Sequence, residues 1–285
     1  PYLYALAMEN GWSPCDEAPN VQTTYHVAGR EWTPRNGSKA RYGEMVTLKW
    51  GLAQSNNWIS AWLMNQLSPA ALVRLIHEFG VENRDIHPSL ALCLGPCDIS
   101  VAEMVGAYTA FARKGVRRCP LYVTRIEDSN GEVVAEFQPR VREVISEQAA
   151  CKMVTLMRGV IDSGTGRRMR FRYNLTAPMA GKTGTTNDNS DGWFVGYTPS
   201  LSFGAWVGGE ERDIHFSSMA IGQGANAALP IAAYFLKKVY ADSSLGYTQD
   251  EDFDIPEGFD PCGQDDGSEE EVQSGEPAVL DELAN

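Results

Sequence analysis

Apolar residues recur every three or four positions along much of the chain, which is the spacing of amphipathic helices. Such stretches cover 1–11, 47–63, 68–79, 99–113 and 146–161. Thr47 is suited to cap the second stretch, which the residues at 55–57 interrupt. The helices between about 45 and 115 predict a helical lobe. Residues 12–45 instead are rich in Pro, Gly, Asn and Thr, and predict a long loop with a short hairpin.

Strand-like composition replaces the helical spacing in two later regions. Residues 122–126 and 133–137 flank an Asp-Ser-Asn-Gly turn, which predicts a β-hairpin. From about 178 to 207, aromatic and β-branched segments alternate with turn residues, which predicts an antiparallel meander. A final helix is predicted over 227–240. The expected fold is therefore α/β of the α+β type, with an antiparallel sheet flanked by helices.

One strand of this meander carries the run A-G-K-T-G-T-T at 180–186. Because side chains alternate along a strand, Lys182 and Gly184 share one face, and Thr183 and Thr185 share the other. Gly184 lets another backbone, a substrate or a helix approach closely. A bare Lys-Thr-Gly is more often a plain strand with a glycine and a surface lysine. The longer run and the residues upstream favour a functional interpretation.

The upstream feature is Ser-Asn-Asn at 55–57, in the break between two helices. Buried short polar side chains there need hydrogen-bond partners, and taken alone these residues are typical of a helix cap. Their order and distance relative to the Lys-Thr-Gly strand resemble the S-x-N and K-T-G motifs of the transpeptidase domain of class A penicillin-binding proteins. Further similar runs are Tyr-Thr-Ala-Phe-Ala at 108–112, Gly-Thr-Gly at 164–166 and Asp-Gly-Trp-Phe-Val-Gly-Tyr at 191–197. The likeness extends from about residue 1 to 240.

This resemblance implies a penicillin-binding transpeptidase fold and a D,D-transpeptidase that cross-links peptidoglycan. Its partners would be D-Ala-D-Ala stem peptides and β-lactam antibiotics, with no cofactor. The resemblance also implies residue roles. The implied catalytic residues are Ser55, Asn57 and Lys182, and the implied substrate-binding residues are Thr183, Gly184 and Thr185.

The chemistry of acyl transfer gives each of these residue types a purpose. Ser55, hydrogen-bonded to Lys182, would return a proton to the leaving D-alanine. Asn57 can both donate and accept, so it would hold a substrate amide and orient the lysine. The hydroxyls of Thr185 and Thr183 would bind the substrate carboxylate beside the lysine charge, and the Thr185 N–H would serve an oxyanion hole. Trp193 and Phe194 are expected to pack in the core rather than border the cleft.

The family's S-x-x-K motif, which supplies the nucleophile and its base, is absent from this sequence. In the family its Lys precedes a Pro and a helix similar to 1–7, so we expect the chain to begin directly after that Lys, in the middle of a longer protein. Residues 1–242 would then be a transpeptidase domain without its N-terminal portion. The chain alone would not acylate. A separate N-terminal piece carrying S-x-x-K, or a truncation, would explain the gap.

Two other functions stay open. A D,D-carboxypeptidase or serine β-lactamase would use water as acceptor, and a β-lactamase would need a glutamate base between the second and third motifs. The candidates are Glu127, Glu132, Glu136 and Glu143, which lie in or near the predicted hairpin and are expected to be solvated. The third possibility is a non-catalytic fragment that binds peptidoglycan or assembles with partners.

Charge is distributed unevenly along the chain. The net charge is −13, yet residues 1–238 hold all 24 bases and 22 of the 37 acids. A nearly neutral body argues against a nucleic-acid footprint, which needs a basic face. Residues 243–285 are expected to be an acidic extension that docks through Phe253, Ile255, Pro256 and Phe259 and is disordered after about 262.

Other features narrow the possibilities less. The four His and six Cys do not sit at ligand spacing, so no metal site is predicted, and the cysteines do not decide the redox compartment. Gly-Gln-Gly at 222–224 is weak as a nucleotide signal. No apolar run is long enough to span a membrane and no signal peptide is present. The resemblance implies a parent protein anchored at the extracytoplasmic face of the bacterial membrane.

Overall fold

The computed structural model describes residues 1–27 and 29–263. Its helices are α1 Tyr2–Glu9, α2 Leu48–Ala53, α3 Asn57–Asn65, α4 Pro69–Glu78, α5 Val101–Ala112, α6 Glu147–Asp162, α7 Arg168–Phe171, α8 Met219–Gly222, α9 Gly224–Ala227 and α10 Leu229–Ala241. Its strands are β1 Glu17–Pro19, β2 Tyr25–Val27, β3 Arg30–Trp32, β4 Met45–Thr47, β5 Val116–Arg118, β6 Arg125–Glu127, β7 Val133–Glu136, β8 Val141–Glu143, β9 Ala180–Thr185, β10 Asp191–Tyr197 and β11 Ser202–Gly208. Short 3₁₀ turns lie at Leu90–Leu94, Asn187–Asn189 and Ser243–Leu245.

The predicted helices form, and hydroxyl or amide caps set where they begin. Thr47 accepts a hydrogen bond from the Trp50 N–H, as its position predicted. Ser68, Ser100 and Ser146 cap α4, α5 and α6 in the same way. The predicted final helix is divided, with α9 before it and α10 starting at Leu229–Pro230, because a proline is tolerated only in a helix's first turn.

The helix α1 is the centre of the main core. Its residues from Tyr2 to Met8 are all buried, and it packs against α3, α4 and α6. The Tyr2 ring meets the Phe79 ring edge-on, with centroids 5.3 Å apart. A helix that is apolar on every side has to be enclosed by other elements, so α1 joins the helical lobe to the rest of the chain.

The predicted antiparallel meander is the sheet β9–β10–β11, with β10 in the middle. One face carries Val195 and Tyr197 into the core around α1 and α6. The other face carries Phe194 and Phe203 into a second cluster that includes α10. Helices therefore cover both faces, which confirms an antiparallel sheet flanked by helices. Phe194 is fully buried, as expected for a core residue.

The remaining strands form small, two-stranded antiparallel sheets. The predicted hairpin is present as β6 and β7, and Asp128 closes its turn by accepting from the Asn130 and Glu132 N–H groups. The short hairpin expected within 12–45 is β2 and β3. In that same loop region β1 pairs with β4, which brings the loop back to the start of α2.

The segment 249–262, here the C-terminal strap, returns across the molecule and docks on the main core. Phe253 is buried, with its ring centroid 5.6 Å from that of Tyr197. Asp254 pairs with Lys114 at 2.9 Å. Cys262 is disulfide-bonded to Cys15, with Cα atoms 5.4 Å apart, a pairing that their separation of 247 residues concealed. The predicted docking by Phe253 is thus confirmed, and of the tail expected to be mobile from 263, residues 264–285 lie outside the described residues.

The described part of the chain lacks both a membrane-spanning helix and a cluster of metal-binding side chains. None of its helices is both long and apolar enough to cross a membrane. No group of three or more His, Cys, Asp or Glu within residues 1–27 and 29–263 is placed to hold a metal ion.

The strap generates a prediction about where the folded unit ends. A chain cut after Cys262 should melt at nearly the temperature of the whole chain, because the buried Phe253 and the Cys15–Cys262 bond are kept. A chain cut after Asp250 loses both. Burial of a Phe contributes about 2 kcal/mol and a disulfide roughly 2–4 kcal/mol, so its melting temperature should fall by several degrees. Equal melting of both variants in a calorimetric comparison would refute a structural role for the strap.

Candidate active site

Ser55 occupies a tight turn, here the Ser55 turn, at 53–57 between α2 and α3. The backbone is left-handed at Ser55, with φ of 54°, a conformation that costs a non-glycine residue about 1–2 kcal/mol. The turn is closed by the Ser55 N–H to the Leu52 carbonyl at 3.1 Å and the Asn56 N–H to the Gly51 carbonyl at 2.9 Å. Gly51 lets α2 lie close to the Ile59 side chain of α3, since a Cβ at residue 51 would be 2.7 Å from that side chain. The turn leaves the Ser55 side chain exposed.

The Lys182 side chain reaches this turn from β9. Its Nζ donates to Ser55 Oγ at 2.8 Å and to the Thr183 carbonyl oxygen at 2.8 Å. The two residues are 127 positions apart in the chain, so the predicted proximity of Ser55 and Lys182 is confirmed. A lysine that is hydrogen-bonded to a serine hydroxyl can exchange a proton with it, which is the property that acid–base chemistry requires.

Burial alters the acidity of Lys182. Removal of its ammonium group from water lowers its pKa to about 8, from an ordinary 10.5. The lysine is therefore charged at neutral pH but close to its titration range.

The Gly-Thr-Gly run at 164–166 joins the Ser55 turn to the lysine strand. The Thr165 N–H donates to the Ala53 carbonyl at 3.0 Å, and the hydroxyls of Thr165 and Thr183 are 2.6 Å apart. A Cβ on Gly164 would lie 2.2 Å from the Ala53 carbonyl oxygen, so only glycine admits this contact. The run therefore fixes the distance between Ser55 and Lys182.

The predicted substrate-binding residues occupy different environments. Thr183 is buried and its hydroxyl is engaged by Thr165. Gly184 is half-buried, and its register partner is Trp193. Thr185 is exposed, and its hydroxyl accepts from the Gly224 N–H at 3.0 Å. Gly224 belongs to the Gly-Gln-Gly run at 222–224. The sequence offered this run only as a weak nucleotide signal and did not predict its contact with Thr185.

Asn57 begins α3 and is held by the loop that precedes α2. Its side-chain amide donates to the Arg35 carbonyl at 2.6 Å, and its backbone N–H donates to Asn36 Oδ1 at 2.7 Å. Within the described residues it makes no hydrogen bond to Ser55 or Lys182, although it lies two residues from Ser55. The sequence predicted a loop over 12–45 but not its contact with Asn57, because that segment has little periodicity from which to place it.

The sequence and the fold were compared with known proteins. Residues 1–207 match the family described as penicillin-binding protein transpeptidase domain. Penicillin-binding protein 1A of Aquifex aeolicus is 31% identical over 258 residues, which is 90% of this chain and 34% of that protein. The protein of the same name from Neisseria meningitidis serogroup A is 29% identical over 245 residues, which is 83% of this chain and 30% of that protein. The chain thus spans about a third of the length of these curated relatives.

Solved structures agree at the level of fold. Penicillin-binding protein 1A from Haemophilus influenzae superimposes with a TM-score of 0.77 at 22% identity, over 85% of this chain and 41% of that one. PonA1 from Mycobacterium tuberculosis, solved in complex with penicillin V, gives 0.71 at 24% identity, over 90% of this chain and 70% of that one.

The Thr165–Thr183 hydroxyl pair predicts a coupled effect on stability. Thr183→Val or Thr165→Val leaves the remaining hydroxyl without its partner, so each should cost roughly 1–3 kcal/mol of unfolding free energy. The double variant removes both hydroxyls and should cost less than the two single changes combined. Thr165→Ser, which keeps the bond, is the control. Strictly additive losses in denaturant titrations would contradict the pairing.

The lowered pKa of Lys182 predicts a pH-dependent stability. Between pH 8 and 10.5 the unfolded lysine holds more protons than the folded one, so wild-type stability should rise through this window relative to Lys182→Met. The melting-temperature advantage of the Met variant should therefore shrink as pH increases. Lys114→Met is the control, because ion pairs with Asp254 and Glu147 raise the pKa of Lys114 above 10.5. Its melting difference should stay flat up to about pH 9.5 and change in the opposite direction closer to 10.5, where unfolded Lys114 loses its proton before folded Lys114. A flat difference for Lys182→Met would refute the pKa shift.

Proposed function

Because this chain belongs to the penicillin-binding protein transpeptidase family, we propose that its parent protein cross-links peptidoglycan as a serine D,D-transpeptidase. The substrate is a D-Ala-D-Ala stem peptide, which reacts through an acyl-enzyme. The observation that carries the proposal is the 2.8 Å hydrogen bond from Lys182 Nζ to Ser55 Oγ at the junction of the two motifs. We place the parent protein at the extracytoplasmic face of the bacterial membrane.

The proposed reaction gives Ser55 the task of moving a proton. A nucleophilic serine of the S-x-x-K segment passes its proton to that segment's lysine and attacks the carbonyl carbon of the penultimate D-alanine, and the C–N bond to the terminal D-alanine breaks. The departing amine takes a proton from the Ser55 hydroxyl, the Lys182 ammonium stabilises the oxygen that is left, and the S-x-x-K lysine returns the serine's proton to Ser55. A pKa near 8 suits Lys182 to this exchange, since its proton is held less tightly than that of an ordinary lysine.

The edge of β9 would bind the carboxylate end of the substrate. Thr185 is exposed and can offer its hydroxyl, and the Lys182 charge lies three residues away on the same strand. Gly184 has no side chain to obstruct a peptide lying along the strand. Thr183 would contribute its backbone, since Thr165 engages its hydroxyl. Asn57 would hold a substrate amide with the side-chain group that now donates to Arg35.

The nucleophile and its lysine would come from an S-x-x-K segment outside this sequence, either joined before Pro1 or carried on a separate piece. The chain by itself would then bind no penicillin covalently. Together with that segment it would be acylated by β-lactams, whose strained amide replaces the substrate's peptide bond.

Transfer to a peptide acceptor is favoured over hydrolysis. The four glutamates considered as a deacylating base, Glu127, Glu132, Glu136 and Glu143, are all exposed on the β6–β8 ribbons. Glu127 pairs with Arg125 instead of facing the Ser55 turn. A carboxylate on an exposed ribbon is poorly suited to activate a water in a cleft.

Labelled-penicillin binding to the full-length protein tests the proposal. Ser55→Ala should slow acylation about 10²- to 10⁴-fold, the usual contribution of a general acid–base group. Ser129→Ala, in the exposed hairpin turn, is the matched control and should react like wild type. The chain of residues 1–285 alone should stay unlabelled.

Three results would contradict the proposal. These are a wild-type acylation rate in Ser55→Ala, failure of the full-length protein to be labelled at all, and labelling of residues 1–285 alone. Rapid hydrolysis of the penicillin adduct would instead favour the β-lactamase or carboxypeptidase alternative.

A further inference from the structure

A chain of side-chain amides connects the loop at 12–45 to the Ser55 turn. Asn56 Nδ2 donates to Asn20 Oδ1 at 2.8 Å, and Asn36 Nδ2 donates to Asn56 Oδ1 at 3.2 Å. Asn36 Oδ1 in turn accepts the backbone N–H of Asn57 at 2.7 Å. Here Asn20, Asn36 and Asn56 are called the amide chain. It ends on two residues of the Ser55 turn, yet no member belongs to the residues proposed to touch substrate.

Backbone groups fix the direction of each amide. The Nδ2 of Asn20 donates to the carbonyls of Ala40 and Arg41, at 3.0 and 2.7 Å, so its oxygen has to face Asn56. The Oδ1 of Asn56 caps α3 by accepting the Trp58 and Ile59 N–H groups. Because a flipped amide would set donor against donor, the hydrogen bonds of this chain have one arrangement.

Burial makes this arrangement stiff. Asn20 is fully buried and Asn56 is 6% exposed, so a broken link would leave a polar atom without water to replace its partner. Asn36 is half-buried and is the only member of the amide chain that bonds to both Asn56 and Asn57. It therefore sits where the loop meets the beginning of α3.

The Ser55 turn needs such support because its backbone is unfavourable. A left-handed serine persists only where the surrounding structure holds both ends of the turn. On the α2 side, Thr165 holds the Ala53 carbonyl. On the α3 side, Asn36 holds Asn56 and Asn57. Ser55 lies between these two attachments, and its hydroxyl receives the Lys182 bond.

We propose that Asn36 is a positioning residue that holds Ser55 in hydrogen-bonding geometry with Lys182. It acts through the start of α3 and does not itself contact Lys182. A role of Asn36 in catalysis rests on the proposed function. Its effect on the Ser55–Lys182 hydrogen bond does not. A residue that only anchored its loop would change the stability of the loop and leave Lys182 unaltered.

Three variants separate these possibilities. Asn36→Leu removes both bonds at similar volume. Asn36→Gln keeps both an amide donor and an amide acceptor without adding charge and is the conservative rescue. Thr33→Ala is the control in the same loop, since its hydroxyl bonds only that of Thr24 in the exposed hairpin.

The first measurement uses the chain of residues 1–285 and needs no nucleophile. The pKa of Lys182, followed by NMR of labelled lysine, should rise from about 8 towards 10.5 in Asn36→Leu, because water reaches the ammonium group once the turn relaxes. Asn36→Gln and Thr33→Ala should titrate like wild type.

The second measurement is penicillin acylation of the full-length protein. Asn36→Leu should acylate about tenfold more slowly, with Asn36→Gln recovering most of the rate, because a hydrogen bond that positions Ser55 is worth about a factor of ten. An unchanged Lys182 pKa in a folded Asn36→Leu chain would overturn the inference. If the wild-type protein fails to acylate, the proposed function fails, and the Lys182 titration alone decides the role of Asn36.

Discussion

The site depends on one hydrogen bond, from the ammonium group of the half-buried Lys182 to the hydroxyl of the exposed Ser55. Burial of the lysine costs free energy, and the 2.8 Å bonds to Ser55 and to the Thr183 carbonyl offset part of that cost. The same burial lowers the lysine pKa towards neutrality. The bond therefore sets both the geometry of the pair and its capacity to exchange a proton.

Much of the surrounding structure can be understood as support for that bond. Thr165 ties the end of α2 to the lysine strand, and the amide chain ties the start of α3 to the loop. Ser55 is thus held from two sides in a backbone conformation that it would not adopt alone. An arrangement of this kind preorganises a catalytic pair, since no free energy is needed to align it during reaction.

The C-terminal strap helps to hold the loop that contains the amide chain. Cys262 is bonded to Cys15, and Cys15 lies just before Asp16 and Glu17, where the loop that contains the amide chain begins. The carbonyl of Asp16 accepts the Leu48 N–H at the start of α2. Both ends of the loop are therefore fastened to the body, one through the disulfide and the other through the pairing of β1 with β4. Such attachment reduces the freedom of Asn20 and Asn36, which lie between these points.

The sequence by itself determined the helices, the antiparallel meander and the proximity of Ser55 to Lys182, because these follow from periodicity, turn residues and two specific motifs. The caps at Thr47 and at the beginnings of the later helices are local and could also be inferred. Only the tertiary structure decided that Thr183 faces Thr165, that Asn57 is bound by the loop and that Cys262 meets Cys15. Each of these contacts joins residues far apart in the chain or lies in a segment without periodicity. Their partners are chosen by how the elements pack, and no local pattern records that choice.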